Sequence, residues 1–237
     1  MINRIDDISQ RALARIAGFG YLIIIVAGIF AEFFVRSALI VPGDATATAN
    51  NIMISGGLYR IGIAGDLVML VCDAIVAWAL YVLLKPINKN LALLAAIFRL
   101  LHATINGINL LNMLFPLFIL SGAGYFAGFT VEQLHALVML FLDAHAYGYV
   151  IALAFFGIHC LILGYLILKS QYLPKGLGLL MIAASLGYLI DSFAHILMSN
   201  YADYAMIFLP VVAIPAIIAE LSFCLWLLFV GIKNRPV

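Results

Sequence analysis

Charged residues are scarce in this 237-residue chain, where Asp, Glu, Lys and Arg make up 10% of the sequence, against about 25% in a soluble domain. Apolar residues make up 66%, and no polar stretch is long enough for a separate soluble domain. The short alternating segments that build membrane β-barrels are also missing. We therefore predict an all-α integral membrane protein, because a helix satisfies its own backbone hydrogen bonds within hydrocarbon.

Several functional signatures are absent as well. The three cysteines, Cys72, Cys160 and Cys224, lie singly in apolar runs without a CxxC pair, so we interpret them as small buried residues. The formal net charge is +1 without a basic cluster, which gives no basis for a nucleic-acid partner. The sequence contains no HExxH, HxxxH or GxSxG motif, so it carries no recognised signature of a zinc or serine hydrolase.

What the chain does contain is six long apolar segments, each bounded by turn or charge signals. A helix needs about 20 such residues to cross hydrocarbon about 30 Å thick. We predict one transmembrane domain over residues 1–237, a bundle of six transmembrane helices in a lipid bilayer. The predicted helices cover residues 14–40, 57–84, 91–120, 131–168, 176–198 and 205–232.

Basic residues predict the orientation of the bundle. Nine of the twelve Lys and Arg residues flank the segments on one side, and the loops around 41–56, 121–130 and 199–204 contain none. By the positive-inside rule, both termini are cytoplasmic. The nine are Arg4, Arg11, Arg15, Lys85, Lys89, Lys169, Lys175, Lys233 and Arg235.

Ionisable residues within the apolar segments are the main functional signal. Each costs from about 2.5 to more than 10 kcal/mol in hydrocarbon unless it is paired or solvated. The embedded acids are Glu32, Asp66, Asp73, Asp143, Asp191 and Glu220, and the embedded arginines are Arg36, Arg60 and Arg99. Three carboxyl groups are therefore in excess (6 − 3), which favours proton or cation chemistry over anion chemistry.

Helical spacing groups several of these side chains. Arg99, His102, Asn106 and Asn109 step by three, four and three residues, so they form one polar stripe on the third helix. We expect a buried, outward-leaning acidic and histidine-containing polar cavity that binds or passes a small ligand, a proton or a cation. Its predicted lining is Asp66, Asp73, Arg99, His102, Asn106, Asp191 and His195.

Two other functions remain open. His145, Asp191 and His195 supply ligand types suited to a divalent metal, so an intramembrane metal-dependent hydrolase acting on a lipid is an alternative. A structural or regulatory membrane subunit is the third hypothesis. Whether the chain is an enzyme, and whether it holds a cofactor, stays undecided by the sequence.

The charges nearest the ends of the first two helices have a structural interpretation. Glu32 and Arg36 are four residues apart on one helix, which favours an ion pair. We interpret Arg60, with Asp66 or Glu32, as a helix-to-helix clamp.

Three stretches resemble a known family: AGFGYLIIIVAGIFAEFFVRSALIVPGDATATANNI, LYVLLKPINKNLALLAAIFRLLHA and GIHCLILGYLILKSQYLPKGLGLLMIAASLGYLIDSF. They resemble the prokaryotic membrane-protein family described as domain of unknown function 4386, over nearly the whole chain. The resemblance implies a small multi-pass protein of the cytoplasmic membrane of a bacterium or archaeon. It implies no activity, so no functional residue is carried over from it.

Overall fold

The fold of the chain is all-helical in the computed structural model, which describes residues 9–231 and contains no strand within that range. Six helices are long and apolar enough to cross a membrane. The prediction of an all-α protein with six spanning helices is therefore confirmed.

Seven α-helices and one short 3₁₀ turn make up the described chain. The spanning helices are α1 (Gln10–Leu39), α3 (Gly56–Leu84), α4 (Lys89–Ile119), α5 (Val131–Lys169), α6 (Lys175–Leu197) and α7 (Tyr201–Val230). The predicted ends differ by at most four residues, at the starts of α1 (14 against 10) and α7 (205 against 201). The remaining elements are α2 (Ala45–Ile54) and the 3₁₀ turn Gly124–Phe126.

Helix α2 lies in a stretch that is predicted above to be a loop. It begins after Asp44, whose side chain accepts a hydrogen bond of 2.8 Å from the amide of Ala47, the usual way to satisfy an orphan donor at a helix start. Its ten residues are too few to cross hydrocarbon, and hydropathy alone does not distinguish such a helix from a polar loop.

Helix α1 departs from regular α-geometry at Phe30–Arg36, which form a π-helical segment. The amide of Ser37 donates to the carbonyl of Glu32, five residues earlier rather than four. Segments of this kind are rare and often lie at functional sites.

The described residues form two compact units. The first unit comprises residues 9–23, 72–103 and 150–231, and the second comprises residues 24–71 and 104–149. Each of α1, α3, α4 and α5 contributes residues to both units, whereas α6 and α7 belong to the first.

Close helix contacts characterise the first unit. A Cβ atom added to Gly164 would lie 2.7 Å from the carbonyl oxygen of Gly178, so α5 and α6 approach at backbone distance. A Cβ atom on Gly18 of α1 would lie 2.8 Å from Leu228 of α7. Small residues permit such close packing where no hydrophobic force drives helices together.

The core of the second unit is apolar and includes the hydroxyl of Tyr59. The hydroxyl of Tyr59 on α3 donates to the carbonyl of Met113 on α4 at 2.9 Å, which satisfies the polar end of a side chain that is 1% exposed. The core cluster is Val35, Leu39, Ile52, Tyr59, Met113, Ile119, Val138 and Leu142.

Candidate functional site

Arg99 is the centre of a buried polar cluster in the first unit. The residue is 1% exposed, and its Nη2 lies 2.6 Å from Oδ1 of Asp73, on α3. Its Nη1 donates to the hydroxyl of Tyr21, on α1, at 2.7 Å. The guanidinium is thus removed from solvent and paired with a carboxylate that is itself 3% exposed.

Aromatic rings enclose the same guanidinium. Its Cζ lies 4.5 Å from the ring centroid of Tyr21 and 5.4 Å from that of Phe156. Phe223 packs edge-on against Tyr21 with 5.7 Å between centroids. Cation–π attraction is strongest where water is excluded, so these rings stabilise the charge while they isolate it.

His159 on α5 accepts a hydrogen bond from Arg99 and is therefore neutral. Its Nδ1 lies 2.8 Å from the carbonyl oxygen of Ala95, which can only accept, so Nδ1 carries the proton. Its Nε2 lies 3.3 Å from Nη1 of Arg99, which can only donate. Nδ1 is therefore a donor and Nε2 an acceptor, because the Ala95 carbonyl can only accept and the Arg99 guanidinium can only donate.

His102 on α4 is held in the same tautomer but faces a different partner. Its Nδ1 lies 3.0 Å from the carbonyl oxygen of Ala152 and donates to it. Its Nε2 lies 3.9 Å from Oδ2 of Asp73. A proton added at Nε2 would therefore create an imidazolium beside a carboxylate, at a distance that allows an ion pair.

Glu220 on α7 supplies the second carboxyl group of the cluster. It is partly exposed and accepts a hydrogen bond from the hydroxyl of Tyr188, on α6. The Tyr188 ring packs against Phe156 with 5.4 Å between centroids, and Glu220 acts electrostatically on Arg99.

We call this set the Arg99 centre, and all six spanning helices contribute to it. It contains two carboxyl groups and one arginine, an excess of one carboxyl (2 − 1). Its members are Tyr21, Asp73, Arg99, His102, Phe156, His159, Tyr188 and Glu220.

Asp191 and His195 form a separate polar group of the first unit, at the end of α6. The hydroxyl of Tyr201, the first residue of α7, donates to Oδ1 of Asp191 at 2.6 Å. The Tyr201 and His195 rings lie 4.1 Å apart. Both Asp191 and His195 are partly exposed.

The second unit contains its own arginine cluster. Arg36 Nε donates to Glu32 at 2.8 Å, and Arg36 Nη1 donates to Asp66 at 2.8 Å. We call these three residues the Arg36 clamp. Arg60 is exposed, and the arginine that contacts Asp66 is Arg36 rather than Arg60.

The asparagines of the polar stripe on α4 contribute to the packing of α4 against α5 in the second unit. Nδ2 of Asn109 donates to the carbonyl of His145 at 2.9 Å, and Nδ2 of Asn112 donates to Oδ1 of Asn109 at 3.0 Å. His145 Nδ1 lies 3.4 Å from the Asn109 carbonyl. Asn106 is buried on the same stripe. Interhelical bonds of this kind stabilise membrane helices by about 0.6 kcal/mol each.

The predicted lining residues divide between the units. Asp73, Arg99, His102, Asp191 and His195 belong to the first unit, and Asp66 and Asn106 belong to the second. A single cavity lined by all seven stays a prediction. The contacts of Tyr21, Phe156 and Tyr188 were not foreseen, because an aromatic residue in an apolar helix carries no sequence signal of a polar role.

The metal hypothesis receives no support from the grouping of side chains. His145 belongs to the second unit, whereas Asp191 and His195 belong to the first. Between residues 9 and 231, no three His, Cys, Asp or Glu side chains are grouped so as to hold a metal ion.

Comparison with known proteins places the chain among relatives of similar extent. The family model described as Domain of unknown function (DUF4386) matches residues 16–231, a range that includes the whole Arg99 centre. A relative from Archaeoglobus fulgidus, named Uncharacterized protein, is 32% identical over 175 residues, which cover 74% of this chain and 86% of the relative. No solved structure matches the chain.

Proposed function

We propose, for a chain that belongs to the family described as Domain of unknown function (DUF4386), that the Arg99 centre binds and releases a proton within the membrane. This proton controls the binding or passage of a small ligand or cation. The observation that carries the proposal is the charge balance of the centre, which holds two carboxyl groups, Asp73 and Glu220, and one permanent cation, Arg99.

The excess carboxyl group defines two states. With both carboxyls ionised and the histidines neutral, the centre has a net charge of −1 (1 − 2). With one proton bound it is neutral, the favoured condition in a medium of low dielectric constant. We assign that proton to Glu220, because it is the partly exposed carboxyl group of the centre, whereas Asp73 is 3% exposed and bound to Arg99.

The ionised centre has a net negative charge that attracts a small cation. The protonated centre is neutral and does not attract one. A proton and a cation would thus compete for one site. Arg99 Nε supports ligand binding further: it is buried and makes no hydrogen bond within residues 9–231, so the guanidinium keeps one donor for a small acceptor group.

The membrane in question is, by our proposal, the cytoplasmic membrane of a prokaryote. The chain is a multi-pass membrane protein, and its relative comes from an archaeon. The asymmetry of Lys and Arg between the loops supports cytoplasmic termini.

Infrared titration of the purified full chain in lipid nanodiscs tests proton binding directly. We expect a carboxylic-acid band that disappears as the pH rises and is lost in Glu220→Gln. In Asp73→Asn, the remaining carboxylate balances Arg99, so the centre no longer needs a proton and the band is lost as well. Asp143→Asn removes an exposed acid of α5 and is the matched control. A wild-type spectrum without a pH-dependent acid band contradicts the proposal.

A structural role for the centre is the second candidate, because Arg99 contacts residues of α1, α3 and α5. Replacing a buried ion pair with apolar residues of similar volume is often neutral or stabilising. An Arg99→Met/Asp73→Leu variant still has one carboxyl in excess (1 − 0), so under the proton-binding proposal it should fold and keep the infrared band. If the variant folds as stably as wild type and neither protein shows a pH-dependent band, the structural role is supported.

A further inference from the structure

A second polar stripe runs along α6 in the first unit. Ser185, Tyr188, Ser192 and His195 step by three, four and three residues, so they lie on one face of the helix. The stripe joins two groups described above. Tyr188 binds Glu220 of the Arg99 centre, and His195 packs on Tyr201 at the end of α6.

The two serines of this stripe are buried without hydrogen-bond partners. Ser185 is 0% exposed and Ser192 is 1% exposed, and neither Oγ makes a hydrogen bond within residues 9–231. Most serines in a membrane helix donate to a carbonyl of the preceding turn, and a buried hydroxyl left unbonded is costly. These hydroxyls are therefore open to a transient partner.

Spacing makes the stripe a possible route for a proton. Side chains three or four residues apart on a helix are about 5–6 Å apart, a gap that one water molecule can bridge with two hydrogen bonds. Ser192 lies between His195 and Tyr188, whereas Ser185 lies beyond Tyr188. Of the two buried serines, only Ser192 therefore lies between the partly exposed end of α6 and Glu220.

We infer that the proton of the Arg99 centre arrives along this stripe, from His195 through Ser192 and Tyr188 to Glu220. The inference rests on the proposed function, since it concerns the same proton. His195 takes a proton from water on one ring nitrogen and gives one up from the other. The Ser192 and Tyr188 hydroxyls each accept a proton and pass on their own, and the Glu220 carboxylate becomes a neutral acid.

The groups around both ends of the route are compatible with this transfer. Asp191 lies beside His195 through their common neighbour Tyr201, and its negative charge favours the arrival of a proton there. The titratable and charged groups that act on Glu220 are Tyr188, Arg99, Asp73, Tyr21 and Cys160.

Loading kinetics after a pH jump test the route, with the Glu220 carboxylic-acid band as the readout in nanodiscs. Ser192→Val should slow loading by about 100-fold, the order of effect of removing a positioned proton-transfer group, while the final extent of loading stays unchanged. Ser192→Thr has nearly the same shape as the valine variant and keeps the hydroxyl, so it should load at the wild-type rate. A steric or folding defect would affect both variants alike.

Two matched controls complete the experiment. Ser185→Val makes the same change at the buried serine that is not between His195 and Glu220, and it should load at the wild-type rate. His195→Gln should slow loading, whereas His135→Gln, in the second unit, should not.

The outcomes separate the route from the proposed function. If wild type loads a proton and Ser192→Val loads it equally fast, the route is wrong and proton binding stands. Slow loading in Ser185→Val alone also overturns the route, because the proton would then arrive from the opposite end of α6. If wild type never shows the acid band, both proposals fail.

Discussion

Arg99 in the first unit and Arg36 in the second both lie in spanning helices, and both bind a buried aspartate. Their other partners differ. Arg99 is 1% exposed, and its partners Tyr21, Asp73 and His159 lie on three other helices. Arg36 has a side chain that is 17% exposed, and Glu32, one turn away on the same helix, has one that is 54% exposed.

The comparison separates two uses of buried charge. In the Arg36 clamp, the exposed carboxylate of Glu32 can replace its bond to Arg36 with a bond to water at little cost in free energy. The remaining bond, from Arg36 to Asp66, links α1 to α3. In the Arg99 centre, water does not reach the guanidinium, so the loss of Asp73 leaves a buried charge unpaired and the loss of Tyr21 or His159 leaves a buried donor unbonded. The proposed function therefore concerns the Arg99 centre, and we expect the Arg36 clamp to serve helix packing.

Removing Arg99 should have the largest effect on stability. Arg99→Met leaves Asp73 buried without its cation, which should lower the free energy of unfolding by about 3–5 kcal/mol. Arg36→Met is the comparison variant. It also leaves a buried aspartate, Asp66, without its cation, but solvent reaches the Arg36 side chain, so the cost should be smaller, about 1–3 kcal/mol. Unfolding in mixed micelles, followed by helix content, measures both. Equal losses would break the distinction between the two clusters.

Close backbone approach in the first unit should give the next largest effect. A Cβ atom at Gly164 would meet the Gly178 carbonyl and the Ile182 amide, at 2.7 and 3.1 Å, and neither can move unless α5 and α6 separate. Gly164→Ala should therefore destabilise the protein by about 1–3 kcal/mol.

Gly65→Ala in α3 of the second unit is the control for this overpacking. Nothing lies within 4 Å of its added Cβ, so the gain of about 1 kcal/mol in helix propensity should be retained. The same unfolding assay applies. If both alanines are tolerated equally, close contact between α5 and α6 does not hold the first unit together.

Neutralising the exposed partner of Arg36 should have the smallest effect. Glu32→Gln should cost less than about 1 kcal/mol, and the difference from wild type should shrink as salt is added, because exposed ion pairs are screened. Unfolding at low and high ionic strength measures it. A large, salt-independent loss would show that the Arg36 clamp is a second functional centre.

The six spanning helices are readable from the sequence because hydrocarbon thickness fixes their length and the connecting turns carry clear breakers. The partners of the charges are not readable in the same way. Asp66 contacts Arg36 through the packing of α1 against α3, which the sequence does not specify. His159 and Glu220 are visible as embedded ionisable residues. Only packing reveals that His159 contacts Arg99 and that Glu220 joins the same cluster through Tyr188 and Phe156.

The π-helical segment Phe30–Arg36 bears on how relatives are compared. Its bonds reach back five residues instead of four, so this turn contains one residue more than a regular turn in the same place. A family member with an uninterrupted α-helix here should align with a one-residue gap between positions 30 and 36. The number of residues in this helix can thus change by one between members without an insertion or deletion in any loop.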